Sequence, residues 1–264
     1  MRPEEHQRAV DHLRALMNDE HFKNMHRAIH AALESQNFLS MEDQFPFEER
    51  CCQTVCLGDC CVGTKYIHLS PIDVDWIIQS PNVRLKREEL VQKTMEIYIG
   101  NESLVPQAVL KTWKSGRSWI CPFFLLQGRT NELGEPVEGG HCGLGHAYKP
   151  KVCLLFPLGY YAYPYQQTIC DFFTVTPCYA TNTDQRRSVR EHIGSYFERR
   201  AWTDGFNAKM LELVAKLRAQ FSEATVITAM NATARIAFNE GFNLDNTDTY
   251  LNDLIAFLKQ KQFT

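Results

Sequence analysis

Apolar residues return at helical spacing through much of the chain. Val10, Leu13, Leu16 and Met17, then Phe22, Met25, Ile29 and Ala32, predict two helices over 3–36 with a break near Asn18 and Asp19. Tyr66, Ile67, His68 and Leu69 read as a short strand. Ser70 then offers a cap and Pro71 a preset first turn for a helix through Ile72, Val74, Trp76, Ile77 and Ile78. Asp73 and Asp75 fall near its start, where acids suit the helix dipole without further function. A helix over 86–98 is expected to turn Leu90, Val91, Met95 and Ile97 inward. Residues 104–126 look extended, with segments 109–113 and 118–121 folded as a hairpin about the glycine-containing 114–117. The stretch 128–141, rich in glycine and polar residues, reads as a surface loop, and the aromatic run 160–178 as core strand. From about 184 onward the period is helical, in segments near 185–203, 205–221, 222–240 and 246–261. Arg186, Arg187, Arg190, Arg199 and Arg200 make the first of these basic and are expected on a solvated face.

Composition agrees with a globular chain. At 264 residues, 44% hydrophobic and 22% charged, it can bury a substantial core without cross-links. A net charge of −3 gives no reason to expect nucleic acid as a partner. No apolar run is long enough to span a bilayer, and the opening residues lack the apolar stretch of a secretory signal. A cytoplasmic, reducing setting is therefore expected. A protein substrate or partner is compatible with this pattern, which sets no oligomeric state.

What breaks the ordinary picture is cysteine. There are ten, and Cys51, Cys52, Cys56, Cys60 and Cys61 fall within eleven residues. Cys121, Cys142, Cys153, Cys170 and Cys178 follow. The resulting division is a helical segment 1–45, a cysteine-cluster region 46–182 and a helical region 183–264. The expected class is mainly α with a small β or irregular cysteine-rich metal-binding centre, an α+β protein. Disulfide scaffolds belong mostly to short secreted chains, so metal ligation is preferred over disulfides. Buried thiols acting as small hydrophobes explain isolated cysteines but explain poorly the crowding of five in one loop. Thiolates favour zinc, copper(I) or iron–sulfur clusters. One zinc or one [4Fe–4S] cluster takes four of them, so ten leave room for structural thiols or a second centre. The spacing Cys52-x3-Cys56-x3-Cys60-Cys61 lacks the paired C-x2-C knuckles of a structural zinc site and departs from the C-x3-C-x2-C of radical enzymes. Glycines in 141–159 match neither phosphate-loop nor dinucleotide fingerprints, and serve better to bend the backbone around a ligand. His26 and His30, one helical turn apart, read as packing or solvent-facing residues. No catalytic residue pair stands out.

These motifs, taken in order, resemble the YkgJ-type cysteine-cluster family, described as zinc- or iron-chelating. The resemblance covers about 50–180 and lies in CLGDCCVGTKYIHLSPIDVDWI, CPFF and HCGLGHAYKPKVCLLFP. Cys60 and Cys61 match the family's paired cysteines, and Ile67, Leu69, Pro71 and Asp73 the segment after them. Cys121 and Pro122 match its middle element; Cys142, Tyr148, Pro150, Cys153, Phe156 and Pro157 match its last, with Cys178 a further cysteine. Both gaps in the first run are x3 where the family has x2, and Lys149 and Leu154 stand where the family has arginines. The resemblance implies metal chelation, with ligands drawn from Cys56, Cys60, Cys61, Cys121, Cys142, Cys153 and Cys178. An iron–sulfur cluster, [4Fe–4S] ahead of zinc, is the expected cofactor. The resemblance also reaches flagellin lysine N-methylase, so an S-adenosylmethionine-dependent protein-lysine methyltransferase is an alternative, as is a zinc-stabilised interaction module.

Overall fold

The computed structural model describes residues 39–48, 67–115, 118–130, 136–162, 170–174, 181 and 183–262. In chain order the elements are β1 (Gln44–Pro46), β2 (His68–Leu69), α1 (Pro71–Ile78), α2 (Arg87–Thr94), β3 (Met95–Ile99) and β4 (Pro106–Leu110). Next come β5 (Trp113–Ser115), β6 (Ser118–Ile120), β7 (Phe124–Thr130), β8 (Pro136–Cys142), a 3-10 turn (His146–Tyr148) and α3 (Lys151–Leu155). The chain continues as β9 (Leu158–Ala162), β10 (Cys170–Thr174), β11 (Arg186–Ser188) and α4 (Val189–Ile193). It finishes with α5 (Tyr196–Arg218), α6 (Glu223–Asn239), a 3-10 turn (Leu244–Asn246) and α7 (Thr247–Gln262). The class is mainly α with small antiparallel sheets. Among the described residues no helix is long and apolar enough to cross a membrane. The helices expected over 3–36 lie outside the described residues.

Chain contacts divide into two units, Met1–Leu57 with Leu154–Gly194, and Gly58–Cys153 with Ser195–Thr264. In the first, β1 pairs with β11 and β9 with β10, all antiparallel. His192 is fully buried there, edge-on to Phe45 and Phe47, with Nε2 3.0 Å from the Phe156 carbonyl. Helix α4 starts on Ser188, whose hydroxyl accepts from the Glu191 N–H while the Glu191 carboxylate accepts from the Ser188 N–H. The Ser188 backbone N–H, and after it the Ser188 side chain, hold the Glu191 carboxyl below its ordinary 4.5. A carboxyl with a depressed folded pKa contributes above its unfolded value and loses that contribution as pH falls through the folded one. The stability difference between wild type and Glu191→Gln is therefore expected to be full above the ordinary 4.5 and to narrow steadily as pH falls below it in a series of urea midpoints.

The second unit carries two apolar cores. Phe206, Met210, Leu213, Val214 and Leu217 on α5 meet Val226, Ala229, Met230 and Ala237 on α6, Leu251 on α7, and Leu104 and Val105. The other core joins Ile67 and Leu69, Val74 and Ile77 of α1, Leu90 and Val91 of α2, Ile120, Cys121, Phe124, Leu144 and Phe238. A three-stranded sheet in the order β2-β4-β3 backs it. Ile77 is fully enclosed, so Ile77→Val should cost about 0.5–1.5 kcal/mol in urea unfolding.

Three expectations need correction. The helix expected over 86–98 ends at Thr94, and Met95–Ile99 becomes a strand paired with β4. The β-prone run Ile97, Tyr98, Ile99 wins once a partner strand is at hand. The loop expected over 128–141 is largely a hairpin, with β7 and β8 paired from Phe124↔Cys142 to Thr130↔Pro136. Gly140 is needed there, since a Cβ on it would run into the Leu125 carbonyl. The helix expected near 185–203 is instead strand β11, the short α4 and the start of α5, which runs on through Gly205, where the side chain of Leu244 packs close, to take in most of the next expected helix.

Candidate metal centre

Three of the expected ligands, Cys121, Cys142 and Cys153, belong to one core. Cys121 is buried in the core of the second unit, and Cys142 and Cys153 are partly buried against the same core. The Cys121 carbonyl accepts from the Phe124 N–H at 3.0 Å, closing a turn into β7, and Phe124 pairs with Cys142 across the hairpin. The two cysteines are thus brought to one end of the β7–β8 hairpin by backbone pairing. Cys153 lies in α3, its N–H donating to the Pro150 carbonyl at 2.8 Å.

The chain between Cys142 and Cys153 is fixed from outside by side chains. Asn82 Nδ2 donates to the Gly143 carbonyl at 2.7 Å, and Ser80 Oγ to that of Leu144 at 2.8 Å. Arg199 on α5 donates to the Ala147 carbonyl at 2.5 Å and the Lys149 carbonyl at 2.6 Å, with its Nε to Ser195 Oγ at 3.0 Å. The Ala147 and Lys149 carbonyls lie at the end of a 3-10 turn, where carbonyls need outside donors. The Arg199 guanidinium also stacks on Trp76 of α1, 4.0 Å from the ring centroid. Only a planar guanidinium can reach two carbonyls and lie flat on an indole at once.

Asp73 ties the same segment to α1. One carboxylate oxygen accepts from the Lys151 N–H at 2.8 Å, capping the helix that carries Cys153. The other accepts from the Ser70 N–H at 2.9 Å, the Ser70 hydroxyl at 2.8 Å and Lys151 Nζ at 3.1 Å. Lys151 Nζ also lies 3.0 Å from Ser70 Oγ, as does the Thr203 hydroxyl. Asp73 is fully enclosed, and Arg199 likewise. Burial lowers the Arg199 pKa to about 10, opposed by the Asp73 and Glu198 carboxylates, so the group stays charged at neutral pH. Arg199 thus places a positive charge beside the cysteine-bearing segment.

The sequence reading of these charges needs revision. Asp73 does sit in the first turn of α1, as a dipole-favoured acid would, but it also binds across to Lys151. Asp75 pairs with Arg87, which reaches on to the Phe238 carbonyl. Arg199 was expected in solvent and is fully enclosed. A signal for this exists in the sequence. Tyr196, Arg199, Thr203, Phe206, Met210, Leu213 and Leu217 alternate by three and four residues, so Arg199 lies on the inward stripe of α5, unlike Arg200.

Of the candidate ligands, Cys56, Cys60, Cys61 and Cys178 lie outside the described residues. Cys170 belongs to β10. Among the described residues no group of three or more His, Cys, Asp or Glu side chains is arranged to hold a metal ion. Cys121, Cys142 and Cys153 alone therefore do not make a site, and any centre needs thiols from beyond the described part. Their chemistry fits a partial thiolate set: soft donors, sheltered from bulk water, on a backbone held in place. No protein-family model, curated protein or solved structure matches the chain.

Proposed function

We propose that this chain is a metal-binding protein whose centre is an iron–sulfur cluster, [4Fe–4S] ahead of zinc, held by cysteines from discontinuous loops. Cys121, Cys142 and Cys153 would supply one part of the ligand set, and the remainder would come from Cys56, Cys60, Cys61 and Cys178. The observation that carries this reading is convergence. Ile67, Leu69, Cys121, Cys142, Tyr148 and Cys153, widely separated in the chain and all positions that match the cysteine-cluster family, share one core. Asp73, another matched position, joins the segment after Cys61 to the helix of Cys153. Lys149, standing where the resembled family has arginine, contributes its carbonyl to Arg199, a backbone contact that does not use the side chain at 149.

A bound cluster would cross-link these loops and could accept or donate an electron. The chain's own residues do the rest. The core excludes water from Cys121, the Asp73–Lys151 pair sets the start of the Cys153 helix, and Arg199 fixes the turn before it. Anaerobic purification followed by iron, acid-labile sulfide and zinc analysis tests the proposal. Brown protein with iron and sulfide in about equal amounts is the expected result. Colourless protein with stoichiometric zinc replaces the cluster with the zinc reading. Protein that binds neither, even after anaerobic reconstitution, overturns both.

A further inference from the structure

The segment from Gly143 to Lys151 is held by bonds that it does not itself provide. Its carbonyls at Gly143, Leu144, Ala147 and Lys149 are taken by Asn82, Ser80 and, twice, by Arg199. Asn82 and Ser80 act near Cys142, while Arg199 acts on the turn leading into the Cys153 helix. Arg199 is itself held from three sides, by Ser195 Oγ, by the Trp76 face and by enclosure on the inward stripe of α5. The Thr203 hydroxyl, one turn along α5, bonds to the Arg199 carbonyl at 2.7 Å and lies against Ser70. Helix α5 therefore grips the 146–149 turn and the Asp73 cluster together. None of these residues is a metal-ligand type in this arrangement; their effect on the cysteines is through the backbone.

We propose that Arg199 is a positioning residue that latches the 146–149 turn to α5, so that Cys153 is presented in its final place before any metal arrives. The latch itself is independent of what the thiols bind; its consequence for metal retention rests on the reading of Cys153 as a ligand. A lysine at 199 keeps the charge but cannot donate to both carbonyls while stacked on Trp76. The local clasp is then lost while the apolar stripe of α5 remains.

The test uses the full chain, freed of metal by chelator under reducing conditions, as wild type and Arg199→Lys. Amide exchange over 144–153 is expected to speed up about ten- to hundredfold in the variant, the loss of two charge-assisted bonds. Exchange in α6 (Glu223–Asn239) is expected to stay unchanged. Iodoacetamide should modify Cys153 faster by a similar factor, and Cys121, fixed by the β7 turn, at its wild-type rate. Unchanged exchange over 144–153 overturns the latch. So does an acceleration shared equally by α6 and Cys121, which would make Arg199 a general core residue. If Arg199→Lys does not fold, Trp76→Leu, which removes the stacking face and spares the hydrogen bonds, is expected to give the same local pattern at smaller amplitude, and an unlocalised pattern overturns the latch. In iron- or zinc-loaded protein, Arg199→Lys should lose metal to a chelator about tenfold faster. A wild type that binds no metal but whose variant shows the local exchange pattern supports the latch and removes the metal reading.

Discussion

Asp73→Ala is expected to destabilise the second unit by about 3–5 kcal/mol, because it strips the partner from a largely buried ammonium. The carboxylate is fully enclosed, and Lys151 is mostly so. Removing it leaves the Lys151 ammonium, the Lys151 N–H and the Ser70 N–H without the acceptor they share. Each buried donor left unmade costs its own desolvation, and a charge costs most. The double variant Asp73→Ala with Lys151→Met then discriminates. If the cost is that of an uncompensated charge, the pair should be more stable than Asp73→Ala alone, with a coupling of about 0.5–3 kcal/mol in a double-mutant cycle read by urea unfolding. A single-variant cost below about 1 kcal/mol would mean that water reaches the site and that Asp73 is no hub.

How much of this was readable from the chain depends on whether an element's signal is local. Ser70 and Pro71 mark the start of α1 by chemistry within one turn, and the helix begins there. The hairpin expected about 114–117 is likewise local, although its strands are Trp113–Ser115 and Ser118–Ile120 and residues 109–110 belong to β4. Strand β3 was not readable, because Met95–Ile99 follows a helix without a breaker and becomes strand only against β4. Hairpin β7–β8 was missed for a related reason. Gly140 looks like loop punctuation, and its use, to let strands approach, appears only when it lies opposite Leu126 with the Leu125 carbonyl where a Cβ would sit. Composition alone assigns Gly to turns; pairing assigns it here to a strand.

The candidate centre shows the same divide. The resemblance named which thiols to consider; Cys121 lies in the core with Cys142 and Cys153 packed against it, and among the described residues they form no metal-holding group. The supporting residues were discounted. A charged side chain on a helix is ordinarily solvated, and five arginines over 186–200 reinforce that reading. Arg199 departs from it because carbonyls of another segment and an indole face replace water around it. Its heptad register with Phe206 and Leu213 was visible, but the carbonyls that make burial tolerable come from residues some fifty positions away.

If the chain holds the proposed centre, Cys153→Ser is expected to abolish stoichiometric metal retention. A serine hydroxyl is a harder and far less acidic ligand than a thiol, so one substitution in a four-thiolate set leaves an open position and a labile centre. Three substitutions separate a ligand from a bystander. Cys60→Ser and Cys153→Ser, both proposed ligands from the resemblance, should lose metal during anaerobic gel filtration. Cys51→Ser, not among them, should retain it. The folded state provides the control, since Cys153 is only partly buried and its serine variant should cost about 1–2 kcal/mol in the metal-free protein. Loss of metal without loss of the apo fold then assigns ligation. Equal retention in all three variants removes these cysteines as ligands, while equal loss in all three means that the 51–61 run acts as a unit, with Cys51 inside the centre.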